Sequence, residues 1–264
     1  MSKANMDQKQ QKHFVLVHGA CIGGWCWYKL KPQLESLGHK VTALDLAACG
    51  IKTEKIEDVD TFEDYSKPLL ELLASLDPKE KVILVGHSFG GMSIALAMEK
   101  FPEKIAVGIF IAAFIPDTNH KPFLWDIALY IERYPITGWL DSELPFHGNK
   151  TLLLLGSKFL SANFFQLCSK EDLELVNNLR RTGSLFVEEL SEAENFSKKG
   201  YESVPRVYVV ANEDLAIPVE FQQWMIQNAG VDVVNVINGA DHMAMLSKPQ
   251  ELYLSLIDVS DKHA

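Results

Sequence analysis

Cysteine is scarce in this 264-residue chain, and Cys21, Cys26, Cys49 and Cys168 form neither a C-x-x-C pair nor a zinc-ligand spacing. A chain of this length needs no disulfide framework, so the thiols read as idle groups in a reducing compartment. Long apolar runs are missing too, with nothing near the about 18 residues of a membrane span. The Gln/Lys-rich start, Met1–Lys12, lacks the apolar stretch of a secretory signal. Positive charge is in deficit: 25 Lys and Arg against 35 Asp and Glu leave a net −10. That balance speaks against a nucleic-acid or anionic-membrane partner. These absences together predict a soluble cytoplasmic protein.

Apolar residues, at 47% of the chain, are enough to fill a sizeable core. Their arrangement alternates short buried runs with helical-period stretches. His13–His18, Val41–Leu46, Lys81–Gly86, Ala106–Phe114, Arg206–Val210 and Val233–Ile237 read as strands. Trp25–Leu37, stopped by Gly38, then Tyr65–Leu76 and Gly91–Lys100 read as helices. Strands that are apolar on both faces and separated by helices predict a mostly parallel, doubly wound α/β sheet. From Pro116 to about Lys199 the rhythm breaks, while Phe123, Trp125, Tyr130, Trp139, Phe159 and Phe164 crowd the segment. Leaving so much aromatic surface in water is costly at about 25 cal/mol per Å². The expected division is a disordered polar tail over 1–12, a core over 13–115 and 200–264, and a helical lid over 116–199 that covers the carboxyl edge of the sheet.

Gly86-His87-Ser88-Phe89-Gly90 matches G-x-S-x-G. The bare pattern is weak, but here it joins a buried strand to a helix. That is where a sharp turn lifts a nucleophilic hydroxyl off the sheet edge. A serine hydroxyl needs a base, and the base needs a carboxylate to orient it. In this fold class the order is serine, acid, histidine, and the last two follow late strands. Asp214 is then the acid, with the neighbouring Glu213 as its competitor, and His242 is the base. Asp241 directly precedes His242 and reads as a turn residue. His18 reads as organising the glycine turn after the first strand, and His87 as packing sideways in the elbow. The amides of Ala20 and Phe89 would form the oxyanion hole. No metal cluster, P-loop or G-x-G-x-x-G pattern is present, which points to a hydrolase needing neither cofactor nor metal.

The segments His13–Leu46, Lys81–Pro102 and Gly239–Leu246 resemble the plant methylesterase family, which includes hydroxynitrile lyases. The resemblance implies an α/β-hydrolase fold and a small-molecule methyl ester substrate. It also implies a homodimer and the same five functional positions, Ser88, Asp214, His242, Ala20 and Phe89. The lyase branch carries threonine where Gly19 stands and lysine where Met243 stands, so the esterase branch is the nearer match. Asp60–Ser66, Phe89, Asn212–Asp214 and Pro218–Phe221 resemble its alkaloid methylesterases, which act on a β-aldehydo methyl ester whose acid product then loses carbon dioxide. A plant hormone methyl ester is the other substrate class implied. Gly19, Trp125 and Met243 are the expected pocket residues. A non-hydrolytic ligand receptor, or a lyase on the same scaffold, is the alternative.

Overall fold

Six apolar runs pair side by side as a wholly parallel sheet, in the order Lys40–Leu44, His13–Val17, Val82–His87, Ile105–Ile111, Arg206–Ala211 and Val233–Ile237 across it. The computed structural model describes residues 11–121, 127–231 and 233–264. Its first half runs β1 (His13–Val17), α1 (Lys31–Ser36), β2 (Lys40–Leu44), α2 (Phe62–Ser75), β3 (Val82–His87), α3 (Gly90–Lys100) and β4 (Ile105–Ile111). Between β4 and β8 stand α4 (Ala128–Arg133), β5 (Phe146–His147), β6 (Lys150–Leu153) and α5 (Ser157–Phe159), then α6 (Lys170–Leu179), β7 (Gly183–Ser184) and α7 (Val187–Glu192). The chain closes with β8 (Arg206–Ala211), α8 (Val219–Ala229), β9 (Val233–Ile237), α9 (Ala244–Ser247) and α10 (Pro249–His263). Every residue of β1 and β3 is buried, as a sheet covered on both faces requires.

Local chemistry explains where elements begin and end. The helix expected over Trp25–Leu37 is two pieces, a 3₁₀ turn at Gly24–Trp27 and α1. Pro32 is the cause, since its fixed φ and missing N–H favour a fresh helix start. Gly38, at φ +85°, ends the segment as expected. The helix expected from Tyr65 begins earlier, at Phe62, because the Thr61 side chain accepts the Asp64 amide at 2.9 Å. The β4–β8 connection holds more helix than strand, but β5, β6 and β7 form a small antiparallel sheet that no apolar pattern announced. The first ten residues lie outside the described set, yet Lys12 is already tied down. Its Nζ donates to the Ser260 carbonyl at 2.5 Å and to Asp261 at 2.8 Å. Among the described residues, no helix is long and apolar enough to cross a membrane.

The strand order reverses at β1, whose neighbours are β2 and β3. In open parallel sheets that reversal opens a crevice at the carboxyl ends of the strands. The loops after β1, β3, β8 and β9 all leave from that edge, and they carry Ala20, Ser88, Asp214 and His242.

Candidate active site

Ser88 sits between the last residue of β3 and the start of α3 with φ +54°, a conformation a serine rarely adopts. The flanking glycines make that turn possible. A Cβ on Gly86 would come within 2.9 Å of the Gly90 carbonyl oxygen, and one on Gly90 within 2.4 Å of the His18 carbonyl oxygen. Gly19 backs the serine: a Cβ there would lie 2.8 Å from Ser88 Cβ and 3.3 Å from its Oγ. Among the described residues, the amides of Ala20 and Phe89 donate to no protein group. Both residues line the same cavity as Ser88.

His242 is wholly buried, and its Nδ1 lies 2.8 Å from Asp214 Oδ2. Asp214 is buried too, so its acceptors must be filled from within. The Ala216 and Ile217 amides donate to Oδ1 at 2.8 Å each, and Gln222 Nε2 donates to Oδ2 at 3.4 Å. Burial pushes the Asp214 carboxyl above its ordinary range, against the pull of His242 and the two amides. Glu213 makes no such contact; its backbone carbonyl accepts from Gln166 and its amide donates to the Ala240 carbonyl. Nε2 of His242 is buried without a hydrogen-bond partner, Ser88 included.

The two neighbouring histidines are occupied elsewhere. His87 Nε2–H donates to the His242 carbonyl at 2.8 Å. Burial, with His242 adding to it, holds the His87 ring far below its ordinary pKa, so it stays neutral. His18 Nδ1–H donates to the Gly19 carbonyl at 2.7 Å, and its Nε2 accepts the Leu46 amide at 3.1 Å. That pair of bonds fixes the turn after β1, and burial lowers the His18 pKa as well.

A narrow cavity opens over Ser88 and His242. Trp139, Phe159, Phe164, Phe114 and Tyr130 supply aromatic walls, with Leu153, Leu155 and Leu185 beside them. No Lys, Arg, Asp or Glu lines it among the described residues. The Tyr130 hydroxyl is spent on the Ala216 carbonyl at 2.5 Å. Of the three expected pocket residues, Trp125 lies outside the described set. Gly19 stands behind Ser88 rather than in the lining. Met243 is fully buried in the core, because the chain turns into α9 directly after His242. No group of three His, Cys, Asp or Glu side chains among the described residues could hold a metal ion.

Residues 14–254 match the alpha/beta hydrolase family. The chain belongs to that family. It is 52% identical over 259 residues to polyneuridine aldehyde esterase of Rauvolfia serpentina, spanning 97% of this chain and 98% of that protein. Salicylic acid-binding protein 2 of Nicotiana tabacum is 53% identical over 259 residues, 97% and 99% of the two chains. The crystal structure of polyneuridine aldehyde esterase superposes with a TM-score of 0.92 at 51% identity, covering 95% of this chain and all of that one.

Two features of this alpha/beta hydrolase escaped the sequence. Gln222 lies on the buried face of α8 with Phe221, Met225 and Ile226, and a polar residue on that face was the available signal. Its side-chain nitrogen donates to the Ala211 and Ile217 carbonyls as well as to Asp214. Phe164 packs against the His242 ring at 4.4 Å between centroids, and no local pattern foretells that contact.

Proposed function

We propose that this protein is a serine carboxylesterase acting on small methyl esters through Ser88, His242 and Asp214. His242, oriented by Asp214, takes the Ser88 proton as the hydroxyl attacks the ester carbonyl. The amides of Ala20 and Phe89 receive the developing oxyanion, and losing one such donor typically costs about 10²–10³ in rate. Methanol departs with the proton from His242. Water, activated by the same imidazole, then releases the acid and restores Ser88. The observation that carries this reading is Ser88 held at φ +54° on the elbow, facing the cavity that the Asp214-bound imidazole also lines. The missing Ser88–His242 bond is compatible with it, since such bonds often tighten only once substrate is bound.

The uncharged aromatic walls suit an apolar or aromatic acyl group. An alkaloid β-aldehydo methyl ester, whose acid then decarboxylates, or a hormone methyl ester is the substrate class. The segment 116–199 serves as the lid of this pocket. A cytoplasmic homodimer completes the reading, and sedimentation tests its assembly. A second reading rests on the 53% identity to a protein named for binding salicylic acid: the pocket holds a small acid without rapid turnover.

The deciding experiment incubates the protein and Ser88→Ala with methyl salicylate, methyl jasmonate, methyl indole-3-acetate and an alkaloid β-aldehydo ester, followed by mass spectrometry. Loss of CH₂ marks hydrolysis, and a further loss of CO₂ marks decarboxylation. Ser88→Ala should lose on the order of 10⁶ in kcat. Near-normal turnover by that variant overturns the mechanism, and tight salicylate binding with negligible hydrolysis across the panel favours the second reading.

A further inference from the structure

Asp241, next in sequence to His242, is wholly buried, and a buried carboxylate must find donors. Its described partners are three. Oδ1 accepts the Met243 amide at 3.1 Å, a local turn contact. Oδ2 accepts the Leu167 amide at 2.9 Å, and the Cys168 thiol points to Oδ1 at 3.6 Å. The last two contacts reach across more than 70 residues of sequence into the β4–β8 connection. There the chain forms a π-helical turn at Leu160–Phe164, a rare geometry frequent at functional sites.

This strap, 160–168, is also sewn to the loop of the catalytic acid. Gln166 Nε2 donates to the Glu213 carbonyl at 2.7 Å, and Asn163 Nδ2 to the Leu215 carbonyl at 3.4 Å. Within the strap, Phe164 meets the His242 ring in a T-shaped contact 4.4 Å between centroids. The His87 ring lies 4.7 Å from the same imidazole. With Nδ1 held by Asp214, His242 is thus confined by two rings and one carboxylate.

The geometry points to Asp241 as a positioning residue: its carboxylate clamps the 160–168 strap to the histidine loop and so seats Phe164 against the His242 ring. The inference rests on His242 being the base of the proposed esterase. A misplacement of about 1 Å at a reacting group can cost about 100-fold in rate, so a loosened strap weakens the chemical step more than substrate binding. Asparagine at this position keeps the size but turns an NH₂ group towards one of the amide donors, and only one side of the clamp can survive.

The test measures kcat and KM for p-nitrophenyl acetate with the full-length protein, Asp241→Asn, Phe164→Leu and the double variant, normalised to folded protein by near-UV circular dichroism. Asp241→Asn should lower kcat about 10- to 100-fold with KM within about threefold. The double variant should fall no further than the weaker single one, as residues acting through one contact do. An unchanged kcat, or losses that multiply, overturns the proposal. Should Asp241→Asn fail to fold, Phe164→Leu alone decides: a lowered kcat with KM within about threefold supports the seat against His242, and an unchanged kcat overturns it. Inactive Ser88→Ala beside an unaffected Asp241→Asn removes the clamp alone, whereas active Ser88→Ala removes the esterase reading itself.

Discussion

Gly90 lies so close to the end of β1 that a Cβ on it would stand 2.4 Å from the carbonyl oxygen of His18. The elbow and the first loop therefore share one contact with no spare room, and the serine turn is braced by a backbone from another strand.

Gly90→Ala follows directly. A methyl forced between these backbones must move α3 or the His18 turn, and overpacking of this kind costs about 1–3 kcal/mol. Urea denaturation should show that loss, with turnover reduced more than stability alone explains. Gly138→Ala is the control, since a Cβ there meets nothing within 4 Å. Equal behaviour of the two variants would refute the close-packing account.

Asp214→Asn tests the orienting carboxylate. The Ala216 and Ile217 amides can still donate to the asparagine oxygen, so the loop should hold its shape. The His242 Nδ1 then loses the anion that fixes its tautomer, and kcat should fall about 10⁴-fold. Circular dichroism should be unaltered. A loss of only a few-fold would show that Asp214 is not the orienting acid.

Stability should depend on pH through buried histidines. Burial lowers the pKa of His13, His18 and His87 in the fold, while the unfolded chain keeps the ordinary 6.5. Below that value the unfolded state takes up protons that the native state refuses, so the contribution is complete above pH 6.5 and is lost as pH falls. Each such group gives a slope of up to about 1.4 kcal/mol per pH unit. Asp172 and Glu80, held low by hydrogen bonds and ion pairs, act with the same sign at still lower pH, and the raised carboxyl of Asp214 acts against them. The urea midpoint should drop between pH 7.5 and pH 5, and His18→Asn should flatten part of that drop. A midpoint constant over this range would show that these rings titrate alike in both states.

The elbow was legible because its signal is local: glycines two residues either side of Ser88, after a run apolar on both faces. The parallel sheet was legible for the same reason, and β9 matches its expected bounds residue for residue. Asp214 and His242 were reachable through chain order, since each follows a late strand. Pro32 splitting the first helix carried a local warning that apolar periodicity overrode. The partners of Asp241 were beyond reach, because Leu167 and Cys168 lie 74 and 73 positions away and their contact depends on a tertiary fold. The short strands β5 and β7 hold two residues each, too few for alternation to register.

The long β4–β8 connection leaves the sheet at one edge and must travel back to the other before β8 can pair in parallel with β4. Its return leg is anchored to α3, where Glu99 accepts the amides of Ser197 and Tyr201. The segment is thus an overgrown crossover that every parallel pair needs in some form. Trading the part of it outside the 160–168 strap for another of different length would leave the strand order and the four loops untouched, so such a scaffold can change its selectivity while keeping its reactivity.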